Sequence, residues 1–305
     1  MTLAHLSPPE RLLWFHGCRR PEHIDLEGIA CDRGARVVHR RLDGCAARLL
    51  TDGDQAVISI QASDHEGRRR FSLAHELAHW INDAQRGFSC FGDDIGPQNA
   101  EAASVEAAAN DFASQLILPD YMVAPWVRGR RASLALAVDL SAAFRTSVTA
   151  AAIKLARRTG SAACLVCHGS SGRRWFVRSG AWPARLYPRV HLHPATAAFD
   201  LAGRGGGAMS NAQASPGPHW LSGAGCHAAD VEAQSLRLPD GTVLTMLALP
   251  VVAPRPVVPR RAGACVFRGA DAPEGAPRVP RSFAVGHDRP RHASPPDATD
   301  RAGQR

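Results

Sequence analysis

The residues best suited to chemistry are His75, Glu76 and His79, followed further along the chain by Glu106 and Asn110. In a helix, positions i and i+4 lie on one face about one turn apart, so His75 and His79 can reach the same metal ion. Glu76 then projects to the side, where it can act as general base toward a water at the metal. A catalytic zinc also needs a third protein ligand and an open position. Glu106 supplies a carboxylate, and Asn110, one helical turn on, supplies an amide that can accept from the second nitrogen of a ligating histidine and fix its tautomer. Simpler uses exist for the same side chains. The two histidines could be satisfied polar groups on an amphipathic helix, and Glu106 a solvated helix carboxylate. Glu101 is the nearby acidic competitor on that second helix before Asp111. Tyr121, just beyond the helix, is a possible hydrogen-bond donor to a tetrahedral intermediate.

The elements that must hold these residues follow from periodicity and punctuation. A helix is expected from Ser72, as N-cap, to about Ala84, with Ala74, Leu77, Ala78 and Ile81 on the stripe opposite the histidines. A second, Ala-rich helix spans Ala100 to Leu118 and is stopped by Pro119. Before them come a short helix, Ile24 to Gly34, and strands at Arg36–Arg40, Ala46–Thr51 and Gln55–Ala62, with Asp52-Gly53-Asp54 as hairpin turn chemistry. Two helical patterns between Ser133 and Arg158 are separated by Arg145-Thr146-Ser147. Beyond them, Ala162 to Leu249 reads as short strands with Pro239-Asp240-Gly241 as a further turn.

Two ordered blocks make the pattern specific. Arg70-Phe71-Ser72-Leu73-Ala74-His75-Glu76-Leu77-Ala78-His79-Trp80, then Glu106-Ala107-Ala108-Ala109-Asn110-Asp111-Phe112-Ala113 with Leu116-Ile117-Leu118-Pro119, resemble the ImmA/IrrE family of zinc metallopeptidases. The segment IDLEGIACDRGARVVHRRLDG is similar to the stretch that opens the family's domain. Ala78 stands in place of the usual Gly, Ala108 in place of a common acidic or amide residue, and Ile117-Leu118 in place of Leu-Met; no ligand is lost. The resemblance implies an α+β, zincin-like core, with His75, His79 and Glu106 holding one Zn²⁺ per chain and Glu76 as catalytic base. It further implies a gluzincin-type endopeptidase whose substrate is a specific protein, usually a helix-turn-helix transcriptional repressor, cut to relieve repression under stress.

Leu140 to Leu155 is similar to the helix-turn-helix-like unit that follows the peptidase core in these proteins. Phe144, Ala150 and Leu155 would be needed merely to pack its helices, and the second helix carries basic residues only near its C-terminal end, so DNA contact is possible but not favoured. The expected organisation is 1–128 metallopeptidase-like, 129–160 helix-turn-helix-like, 161–250 a C-terminal sensor-like α+β region, and 251–305 a disordered tail. A rival reading from another class is a DNA- or partner-binding transcriptional regulator that uses the metallopeptidase scaffold without proteolysis.

Composition sets the limits. The 305-residue chain has 36 Lys+Arg against 28 Asp+Glu, a formal net charge of +8. Residues 251–305 hold ten Arg, nine Pro and five Asp+Glu, so most of that excess lies in a segment unable to bury a core. The N-terminus lacks a basic region followed by an apolar one, and no run of apolar residues is long enough to span a bilayer, which points to a cytoplasmic protein without a membrane anchor. The eight cysteines are expected as reduced thiols. Cys164-Leu165-Val166-Cys167-His168 matches a c-type haem attachment pattern, but in a strand its two thiols point to opposite faces, and no haem is expected.

Overall fold

The computed structural model describes residues 3–83, 100–203 and 209–250. The tail expected at 251–305 and the side chain of Glu101 lie outside the described residues. Residues Met1–Ala253 cluster as one unit.

The chain opens with helix α1 (Pro8–Phe15), then α2 (Leu26–Asp32). Strands β1 (Ala35–Arg40), β2 (Ala47–Asp52) and β3 (Gln55–Gln61) form a sheet in the order β1-β3-β2. The β2–β3 pair is the antiparallel hairpin turned at Gly53, whereas β1 runs parallel to β3. The central strand buries Ala56, Ile58 and Ile60 toward the helices, as its alternation requires.

Two long helices follow: α3 (Glu66–Asp83) packs on this sheet, and α4 (Ala100–Ile117) packs along α3 and against α1. The start of α3 corrects the expected N-cap at Ser72, which is buried inside the helix. Instead, the His65 carbonyl accepts from the Arg68 and Arg69 amides at 2.9 and 3.0 Å, Asp64 pairs with Arg68, and Glu66 places its charge near the positive end of the helix. The added opening, Glu66-Gly67-Arg68-Arg69-Arg70, has no apolar side chain and so carries no apolar period. Leu77 and Ala78 are fully buried. The Trp80 indole N–H donates to the Arg33 carbonyl at 2.7 Å, tying the far end of α3 to the start of the sheet.

Helices α5 (Asp120–Val127), α6 (Leu134–Phe144) and α7 (Val148–Arg158) follow. Ser133 and Ser147 cap α6 and α7 through hydrogen bonds from Leu136 and Ala150. The two helices meet at 117°, in the range of a helix-turn-helix. Arg145 makes the corner at φ 53°, the one non-glycine residue with positive φ among the described residues. Ala151, Ala152, Lys154, Leu155 and Ala156 of α7 are buried, and α7 packs on α5, α6 and the second sheet.

That second sheet contains β4 (Ala163–Gly169), β5 (Gly172–Arg178), β7 (Gln213–Pro216), β9 (Asp230–Arg237) and β10 (Val243–Ala248), ordered β5-β4-β10-β9-β7. The short pair β6 (Tyr187–Pro188) and β8 (Leu221–Ser222), with helices α8 (Ala197–Gly203) and α9 (Gly217–Trp220), covers its outer face. Leu165, Cys167, Leu244 and Met246 join the same apolar core as α3, α4, α6 and α7, while Cys164, Val166 and Leu247 join a second cluster with Trp182 and Trp220. Cys164 and Cys167 therefore face opposite cores. Among the described residues no single helix is long and apolar enough to cross a membrane.

Candidate metal centre

Helices α3 and α4 pack side by side and bring His75, His79 and Glu106 together. His75 Nε2 and His79 Nε2 lie 3.1 Å apart, Glu106 Oε2 lies 3.2 Å from His75 Nε2, and Glu106 Oε1 lies 3.4 Å from His79 Nε2. All three ligand atoms fall within 4.8 Å of one another. Neighbouring ligands of a tetrahedral ion with ~2.0–2.1 Å bonds stand about 3.3 Å apart, so the donor set and its spacing fit a divalent ion such as zinc. The rings meet edge to face, centroids 4.7 Å apart, which turns both Nε2 atoms inward.

Burial sets the electrostatics. His79 is 1% exposed and Glu76 is 4% exposed. Burial, reinforced by His79 and opposed by the Glu106 carboxylate, lowers the His75 pKa and favours the neutral imidazole that a metal requires. For Glu76, burial first and the Glu106 charge second push the pKa up to about 7. Glu76 Oε2 is buried without a hydrogen-bond partner. A carboxyl raised toward neutrality in this way can exchange a proton near neutral pH.

Asn110 lies beside His75, and its side chain acts to raise the His75 pKa; His75 Nδ1 itself is buried without a hydrogen-bond partner. Tyr121 is engaged with the N-terminal segment. Its hydroxyl donates to the Cys18 carbonyl at 2.7 Å, its ring sits edge-on to Trp14, and its backbone N–H donates to Glu10 at 3.2 Å. Being an interior anchor for α1, it has its phenolic proton held by a backbone carbonyl, and burial raises its pKa further.

Arg70 has a structural role beyond its place in the motif. Its guanidinium donates to the Ile24 carbonyl at 3.3 Å and lines a cavity of about 500 Å³ with Asp25, Glu66, Leu73 and Arg145. This cavity lies at the opening turns of α3 rather than at the ligand triad.

The match to known families agrees with this geometry. Residues 31–156 match the model of Peptidase_M78, the IrrE N-terminal-like domain, and the mixed α+β fold of that segment is consistent with a zincin-like core. No curated protein matches the chain in sequence. Among solved structures, a Mycobacterium tuberculosis transcriptional regulator shares the fold with a TM-score of 0.55 and 15% identity, over 79% of this chain and 75% of that one. The match and the ligand triad together support a metallopeptidase-like fold for this segment.

Proposed function

We propose that this protein is a zinc-dependent endopeptidase that cleaves a specific protein substrate, a helix-turn-helix transcriptional repressor, and thereby relieves repression. The observation that carries the reading is the convergence of His75, His79 and Glu106 beside the buried, partnerless Glu76 oxygen. His75 and His79 would hold the ion from one helix and Glu106 from the other. When bound, such an ion supplies positive charge that polarises a scissile carbonyl and acidifies an attacking water. Glu76 accepts the proton of that water and returns it to the leaving amine, a transfer for which a pKa near neutrality is suited.

A second reading, a transcriptional regulator using the same scaffold without proteolysis, draws support from the Mycobacterium tuberculosis protein of this fold, itself a transcriptional regulator. One experiment separates the two. The purified chain is incubated with a small helix-turn-helix repressor encoded beside its gene, with and without a chelator, and fragments are read by mass spectrometry. Discrete fragments formed by the wild type, and absent with chelator or in Glu76→Gln, support proteolysis. An intact repressor, or equal cleavage by Glu76→Gln, overturns it.

A further inference from the structure

Charge in the folded region is not evenly spread. Between Leu140 and Phe199 there are nine Lys+Arg and no Asp or Glu, the flanking carboxylates being Asp139 and Asp200. Arg145, Lys154 and Arg158 find partners in Glu66 and Asp120. Four others, Arg173, Arg178, Arg185 and Arg189, gather around β5 and the segment leading through β6, and none pairs with a carboxylate among the described residues.

Three of the four are held by backbone oxygens instead. Arg173 donates to the Pro188 carbonyl, Arg178 to Ala184 at 3.2 Å, and Arg189 to Pro218 at 2.9 Å. A guanidinium carries five N–H donors, so each of these keeps donors and its whole charge for an outside partner. Two aromatic rings lie among them. Phe176 is flanked by Arg173 and Arg178, 5.0 and 5.5 Å from its centroid. Tyr187 has Arg178 5.3 Å from its centroid and is 46% exposed.

Uncompensated guanidiniums beside an open aromatic ring form a surface complementary to phosphates joined to planar bases. We propose that this face binds single-stranded nucleic acid, with phosphates against Arg173, Arg178, Arg185 and Arg189 and a base stacked on Tyr187. A strand fits better than a duplex because α7, the second helix of the bent pair, is packed against the sheet and is not free to enter a groove. Stacking on an exposed ring needs an unpaired base. This inference is independent of the proteolytic reading.

The test measures binding by the full chain to an oligothymidine strand of about 20 nucleotides, to a duplex of the same length, and to the strand in the presence of polyglutamate. Three surface variants are compared: Tyr187→Ala, Tyr187→Phe and Arg185→Glu, with Arg11→Glu on α1 as a control of equal charge change. The basic segment 251–305 is present in every variant and cancels. Expected are salt-sensitive binding tighter to the strand than to the duplex, a loss of about five-fold or more in Tyr187→Ala that Tyr187→Phe restores, and a loss in Arg185→Glu absent from Arg11→Glu. No binding, equal or tighter duplex binding, equal displacement by polyglutamate, or identical affinities for Arg185→Glu and Arg11→Glu would each overturn the proposal.

Discussion

Glu106 Oε1 stands 3.4 Å from His79 Nε2 although the two residues lie on different helices, so the ligand set exists only when α3 and α4 are packed together. The metal would then be a clamp as well as a reagent: an ion bound to the folded form alone stabilises it by mass action. Adding zinc to metal-free protein is expected to raise the melting temperature, and Glu106→Ala to abolish most of that rise. A rise of the same size in Glu106→Ala would remove this carboxylate from the ligand set.

Glu76 makes a pH dependence of its own. In the metal-free chain its pKa is about 7 against an ordinary 4.5, so between those values the folded state holds a proton that the unfolded state has released. Stability from this group is therefore full below about pH 4.5 and declines as pH rises toward 7, by on the order of 3 kcal/mol. Glu76→Gln cannot titrate. Denaturant melts of both metal-free proteins across this range should converge at acid pH and favour the variant near neutrality; parallel curves would show that Glu76 is not buried as a proton carrier.

Gly67, in the first turn of α3, abuts the corner between α6 and α7 so closely that a methyl group on it would meet the Ser147 backbone nitrogen at 2.6 Å. Backbone on both sides leaves little room for relief. Gly67→Ala should cost about 1–3 kcal/mol by forced separation, in spite of alanine's better helix propensity. An unchanged or increased denaturation midpoint would mean that α3 and the corner are not in rigid contact.

Lys154, the only lysine in the chain, is 4% exposed and held by Asp120 at 2.8 Å and Gln115 at 3.1 Å. Removing the carboxylate strands a buried cation, whereas removing the cation leaves Asp120 with Arg158. Asp120→Asn is thus expected to destabilise by about 3 kcal/mol and Lys154→Met by clearly less. The opposite order in equilibrium unfolding would argue that Arg158, not Lys154, is the group that depends on Asp120.

The ligand triad was legible because helical spacing alone puts His75 and His79 on one face, and because a second block supplied Glu106 in order. What escaped reading had physical causes. The opening turns of α3 are polar and charged. The parallel pairing of β1 with β3 depends on contacts that no local pattern encodes. Tyr121 could be placed near the second helix by sequence, but only packing shows its hydroxyl held by Cys18. Helix α1 did carry a signal, Ser7-Pro8-Pro9-Glu10, in which the Glu10 carboxylate accepts from the Ser7 N–H and hydroxyl at 2.8 Å. The near-neutral total of the first 250 residues concealed the stretch from Leu140 to Phe199 that carries cations alone.

Metal content is the most direct measure of the central claim. After loading with zinc and removal of excess, elemental analysis of the purified wild-type chain should find about one equivalent per chain, retained in Glu76→Gln and lost in His79→Ala. A full equivalent retained by His79→Ala, or none bound by the wild type, would contradict the assignment of His75, His79 and Glu106 as a metal centre.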